Sequence, residues 1–247
     1  MRETLYGRQA IRESLRAARR HPRGLILAEG AAQSTILDEI LSLADHQGVS
    51  VARRPKVDLA RLAGTDQHQG VVLDTSPYPY GDVETMLSLA NEGNEAPLLL
   101  LLDLIQDVHN LGSLIRTAEA AGVHGVVVQS RRAAGITPAT VNTSSGAAEH
   151  LLIARVTNLA QEIGRLGSHD IWVAGLEDAA GARLVTEVSL TGPLGIVVGS
   201  EGDGLRRLVR ERCDWLMRLP MHGHINSLNA AAAGSIALYE ALRQRGG

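Results

Sequence analysis

The sequence predicts an α/β fold: a larger C-terminal part built on a mostly parallel sheet, preceded by a smaller α/β domain. Three observations predict it. From residue 98 onward, short apolar runs alternate with helical stretches, the pattern of a parallel sheet covered on both faces. The run Ser76-Pro77-Tyr78-Pro79-Tyr80-Gly81 carries two prolines and ends in glycine, which marks a linker rather than the interior of an element. A chain of 247 residues with 45% apolar composition has room for a small domain joined to a medium one. The expected division is therefore a domain over 1–75, a linker over 76–97 and a second domain over 98–247.

In chain order, periodicity predicts a helix at 7–18, a strand at 24–28, a helix at 35–46, a strand at 49–52, a helix near 57–62 and a strand at 70–73. A short helix at 83–90 follows the linker. The later strands are expected at 98–103, 124–129, 151–156, 171–176, 194–198 and 215–219. No repeat or low-complexity tract is visible.

Composition excludes several classes. The single cysteine, Cys213, can form neither an internal disulfide nor a thiolate zinc site. The longest aliphatic run, 98–102, stops at Asp103, far short of the roughly 20 residues of a spanning helix, so a cytoplasmic protein without membrane association is expected. His109, His222 and His224 lack a carboxylate at ligand spacing, so they read as loop hydrogen-bonding groups and no metal is expected. With no Phe, two Trp and four Tyr, base stacking on aromatics cannot be a main mode of recognition. Lys plus Arg outnumber Asp plus Glu by 11 to 9 over residues 1–75 but fall to 13 against 18 over 76–247. The net charge of −3 argues mildly against a nucleic-acid partner, while the N-terminal part is the less acidic one. There, Arg8, Arg12 and Arg16 recur at i, i+4 and i+8 and form a candidate phosphate-contacting stripe, joined by Arg19 and Arg20.

In open parallel sheets, ligands sit beyond the carboxyl ends of the strands, so the segments after 98–103, 194–198 and 215–219 carry the argument. The first contains Asn110-Leu111-Gly112-Ser113-Leu114-Ile115-Arg116. Asn110 is expected to cap a helix that stops at Gly122, with Arg116 a little under two turns on, on nearly the same face. The second, Gly199-Ser200-Glu201-Gly202-Asp203-Gly204-Leu205, sets three glycines around two carboxylates; it is neither a P-loop nor a dinucleotide fingerprint. The third, Leu219-Pro220-Met221-His222-Gly223-His224-Ile225-Asn226-Ser227-Leu228-Asn229, runs into Ala230-Ala231-Ala232-Ala233-Gly234. Side chains that small imply a helix crossed at very short range.

These three segments, in this order and spacing, resemble the three motifs of the SpoU family of RNA ribose methyltransferases, within the knotted SPOUT superfamily. Residues 1–75, with Leu5-Tyr6-Gly7-Arg8 and His68-Gln69-Gly70-Val71-Val72, resemble the ribosomal-protein-like RNA-binding domain of the ribosomal RNA members. Val108 departs from the proline usual before the His-Asn pair. The resemblance implies a trefoil-knotted domain that forms a homodimer, and S-adenosylmethionine as cofactor, held by Gly199, Leu219, Met221, Ser227 and Leu228. It also implies a catalytic set of Asn110, Arg116, Glu201, Ser227 and Asn229. The implied substrate is a ribose 2′-hydroxyl, of a guanosine in 23S ribosomal RNA if the ribosomal members are the right relatives. Alternatives are transfer RNA as substrate and a non-catalytic RNA-binding assembly factor. A Rossmann-type methyltransferase is disfavoured because Asp103-Leu104-Ile105-Gln106 stands where its glycine-rich turn belongs.

Overall fold

A computed structural model describes residues 2–202, 204–224 and 227–246. The chain runs β1 (Glu3–Tyr6), α1 (Arg8–Ala17), β2 (Pro22–Ala28), α2 (Thr35–His46), β3 (Val51–Arg54), α3 (Lys56–Ala63), β4 (Val71–Thr75), α4 (Val83–Glu92) and β5 (Leu98–Asp103). It continues with α5 (Val108–Ala120), β6 (Gly125–Gln129), α6 (Pro138–Thr143), β7 (Ile153–Val156), α7 (Leu159–Gly167) and β8 (Trp172–Leu176). The last elements are β9 (Arg183–Leu184), β10 (Leu194–Gly199), α8 (Arg207–Arg212), β11 (Trp215–Arg218) and α9 (Ala230–Gln244).

Contacts divide the chain into two compact units, one of residues 1–79 with 136–150, the other of 80–135 with 151–247. The segment 136–150 was expected within the C-terminal domain, and its side chains explain why it groups with the first 79 residues. Both carboxylate oxygens of fully buried Glu149 accept from the single Arg20 Nε–H, at 2.9 Å each. Tyr78 donates to Ala148 O at 3.1 Å, and His150 meets Glu13 at 2.9 Å. Charges this deeply buried need their partners, since stranding one costs roughly 3–5 kcal/mol.

The first unit holds a four-stranded sheet in the order β1-β4-β2-β3. β1 pairs antiparallel with β4, Leu5 opposite Leu73, where the sequence predicts only the approach to a helix. Four residues are too few for a period of two to declare itself.

The second unit holds a seven-stranded sheet in the order β7-β6-β5-β10-β8-β11-β9, parallel at every pair. The five leucines at 98–102 are at most 1% exposed, each contributing roughly 1.5–3 kcal/mol by leaving water, as befits a strand covered on both faces. From β5 the chain winds outward through β6 and β7, then returns on the other side through β8 and β10. The reversal puts a switch point between β5 and β10, where an open parallel sheet binds its ligand.

The crowded crossing is real. A Cβ on Gly234 of α9 would lie 2.5 Å from Leu114 of α5 and 3.1 Å from Val198 of β10, so glycine lets the helix settle against both. No helix among the described residues is long and apolar enough to cross a membrane.

Candidate active site

Asp103, the last residue of β5, is aligned with Gly199 at the end of β10. From there the chain turns through Leu104, whose left-handed φ of 58° is held by a bond from its N–H to Gln129 Oε1 at 3.1 Å. α5 is capped by Asp107, which accepts from His109 N at 2.5 Å and Asn110 N at 3.2 Å, and not by Asn110 as the sequence reading had it. A carboxylate is favoured at a helix N-terminus by hydrogen bonding and by the helix dipole, and its presence there releases the Asn110 amide for another task.

That task is a closed ring of three side chains. Asn110 Nδ2 donates to Glu201 Oε1 at 2.7 Å. Asn229 Nδ2 donates to Asn110 Oδ1 at 2.9 Å and also to Glu201 Oε1. Asn229 is at the same time the N-cap of α9, its Oδ1 accepting from Ala231 N and Ala232 N at 2.9 and 3.2 Å. Residues from all three motif loops therefore meet at one carboxylate.

Beside the ring opens a cavity of about 530 Å³, within the range of small-molecule sites. Gly199, Leu219, Met221, Ser227 and Leu228 all line it, as do Glu201 and Asn229. Ser227 contributes to this wall, and Asn110 reaches it through its two partners. Asp203, Ile225 and Asn226 of the motifs lie outside the described residues.

Arg116 is exposed on α5 and is not among the described lining residues. Six residues at about 100° each carry it roughly 120° around the helix from Asn110, so the two do not share one face as expected; Asn110 reaches Glu201, while Arg116 is exposed.

Two carboxylates that the sequence reading passed over brace the second motif loop. Glu177, just past β8, accepts from Arg210 Nε and Nη2 at 2.5 and 2.7 Å and from Leu205 N at 3.3 Å. It sits so close that a Cβ on Gly204, whose φ is +64°, would lie 2.6 Å from Glu177 Oε1. Buried Asp103 accepts from Arg206 N at 2.9 Å and Arg206 Nε at 2.8 Å. Glu177 and Asp178 also line the cavity; their position directly after a strand was the available signal.

The α1 arginines are committed within their own unit. Arg8 donates to Ser34 Oγ at 2.7 Å and to the Gln69 and Ala32 carbonyls, while Arg12 and Arg16 both pair with Glu13 and Glu39. Two of the three stripe arginines are thus ion-paired and the third is held by a hydroxyl and carbonyls, rather than forming an open row of cations. Arg19 and Arg20 lie beyond the end of α1 and turn to Tyr78 and Glu149.

Residues 97–239 match the SpoU rRNA methylase family, and residues 4–81 match a family described as RNA 2′-O ribose methyltransferase substrate binding. The YacO protein of Bacillus subtilis, named for the TrmH family of tRNA/rRNA methyltransferases, is 40% identical over 97% of this chain and 94% of its own length. A Staphylococcus aureus protein named for the same family is 41% identical over 98% and 96%. Among solved structures, the SpoU methyltransferase AviRb from Streptomyces viridochromogenes, crystallised with AdoMet, superposes with a TM-score of 0.81 at 26% identity, covering 99% of this chain and 90% of that one. The A. aeolicus TrmH/SpoU tRNA modifying enzyme, at a TM-score of 0.54 and 27% identity, covers 66% of this chain and 83% of its own.

Proposed function

Because this chain belongs to the SpoU rRNA methylase family, we propose that it transfers a methyl group from S-adenosylmethionine to the ribose 2′-hydroxyl of a guanosine in large-subunit ribosomal RNA. The reading rests on the Asn110–Glu201–Asn229 ring at the edge of the cavity. S-adenosylmethionine, when bound, supplies an electrophilic methyl group on a sulfonium sulfur. The cavity suits such a cation. Leu176, Val198, Leu219, Met221 and Leu228 give it apolar walls, and its carboxylates are Glu177, Asp178 and Glu201, facing Arg218 alone as a cation among the described lining. Glu177 is spent on Arg210, which leaves Asp178 and Glu201 to meet positive charge.

A ribose hydroxyl is a poor nucleophile at neutral pH and must be oriented and relieved of its proton. The two amides hold Glu201 through Oε1, which leaves Oε2 to accept a proton or anchor a hydroxyl. Arg116 stays charged at any working pH; from its exposed position on α5 it serves as a phosphate clamp that polarises the hydroxyl rather than as a base. Ser227 shapes the cofactor loop. The knot, a cytoplasmic location and homodimerisation of the second unit belong to the same proposal; the exposed Ile236 and Tyr239 on α9 support the last.

The test is a map of 2′-O-methyl sites in ribosomal and transfer RNA from cells with and without the protein, complemented by wild type or Arg116→Ala. One large-subunit guanosine should lose its methyl group and regain it only with wild type, the variant running on the order of 10²-fold slower or worse. A missing transfer RNA site would change the substrate; an unchanged map would end the proposal.

A further inference from the structure

We infer that the RNA-contacting surface of the first unit is the β3 edge and the start of α3, with Arg53, Arg54 and Lys56 touching the sugar-phosphate backbone. The inference rests on the ribosomal RNA reading above and concerns where that RNA is gripped. It comes from accounting for the cations of residues 2–79. Arg2 lies 3.8 Å from Asp74, and Arg61 3.8 Å from Asp58. Arg8 is held by Ser34 and two carbonyls, Arg12 and Arg16 by Glu13 and Glu39, Arg19 by Tyr78 and carbonyls, and Arg20 by Glu149 and Glu3. Among the described residues, Arg23, Arg53, Arg54 and Lys56 have no side-chain hydrogen bond or ion pair. Three of these four fall within a single stretch of four residues.

The fold displays that stretch. β3 is the outer strand of its sheet, and all four of its residues are exposed, as are Pro55 and Lys56 after it. Its register sets Arg53 opposite Leu27 and Arg54 opposite Ala28, so the two guanidinium groups leave opposite faces of the edge and can straddle a backbone. The nearby carboxylates do not cancel them: Asp58 faces Arg61, and Glu29 meets Arg54 through the backbone, its N–H donating to Arg54 O at 2.8 Å. A flat apolar platform for bases is missing here, but phosphate contact needs only donors and positive charge. The region lies inside residues 4–81, matched to a substrate-binding family.

Charged edge strands have another use, since they discourage edge-to-edge aggregation. That role asks only for charge, of either sign, and so can be separated by experiment. Binding of the full-length protein to purified large-subunit ribosomal RNA is measured across a salt series for wild type, for the triple variant Arg53→Glu, Arg54→Glu, Lys56→Glu, for Arg53→Lys, Arg54→Lys, and for Arg12→Ala, Arg16→Ala. Each phosphate contact contributes roughly 0.7–0.9 to the salt slope, so the triple reversal should flatten it by about 2–3 and weaken binding about 10²-fold near 0.1 M salt. It should remain monomer-soluble or dimeric as wild type is, with S-adenosylmethionine binding unchanged. The lysine variant should keep the wild-type slope, as should the α1 variant. An unaltered slope in the triple reversal, or a flattened one in the α1 variant alone, overturns the inference. If wild type binds through β3 yet methylates no RNA, the enzymatic reading fails and the surface stands; if wild type does not bind RNA, both fail.

Discussion

Asn229 serves as helix cap and ring member at once, and such double use explains why these loops read so clearly in the sequence while single side chains did not. Gly199, Leu219, Met221, Ser227 and Leu228 were named from the motif and all reach the cavity wall. Of the two duties expected of Asn110, capping α5 falls to Asp107 three residues earlier, whose charge wins the helix terminus. Glu13 illustrates what sequence reading could not weigh. Burial alone would raise its carboxyl pKa, but bonds from His150 and Arg12 and the charge of Arg16 outweigh that and hold it below the usual 4.5. A carboxyl depressed in the folded state stabilises at neutral pH, and the contribution disappears as pH falls through the folded value. Glu13→Gln should therefore unfold at lower urea than wild type at pH 7, with the two midpoints converging as the pH falls through the carboxyl's lowered folded value. Parallel curves would show that the network does not sense this proton.

The α9 helix, seated on α5 and β10 through Gly234, is the element whose placement the alanine run foretold. Adding bulk at that seat should cost on the order of 1–3 kcal/mol by overpacking. Gly234→Val is thus expected to lower Tm by several degrees, at roughly 2–4 °C per kcal/mol for a chain of this size, and Gly234→Ala, which adds the Cβ alone, to lower it less. Equal Tm values would mean that Leu114 and Val198 move aside freely. Most longer elements were legible because period and length agree; α2 was expected at 35–46 and forms Thr35–His46. β1, β9 and α6 were not. They span two to six residues, and what they pair or pack with lies far off in sequence, where no local pattern points.

For the molecule as a whole, the two family matches and the two compact units partition differently. The substrate-binding match ends at residue 81, yet residues 136–150 pack with it through Glu149 and Ala148. The Arg20–Glu149 pair joins residues 129 apart, and so ties this segment to the first unit across the intervening chain. Cofactor binding should report on the assembled site. Ligand at about 100 times its Kd adds roughly 2.7 kcal/mol to a folded state that alone can bind it. S-adenosylmethionine should therefore raise the Tm of wild type measurably, and Leu228→Asp, at a position 43% exposed, should fold normally but lose the rise. A persisting rise would place the cofactor elsewhere.

The pairing of β5 with β10, Leu98 beside Leu194, has a consequence during synthesis. Roughly a hundred residues separate the two strands, which at about 5–20 residues per second leaves the leucine strand emerged and half-partnered for several seconds. Until its neighbour arrives, that edge offers five leucines to any other chain, so production of this protein should depend on elongation speed and on chaperones that shield it.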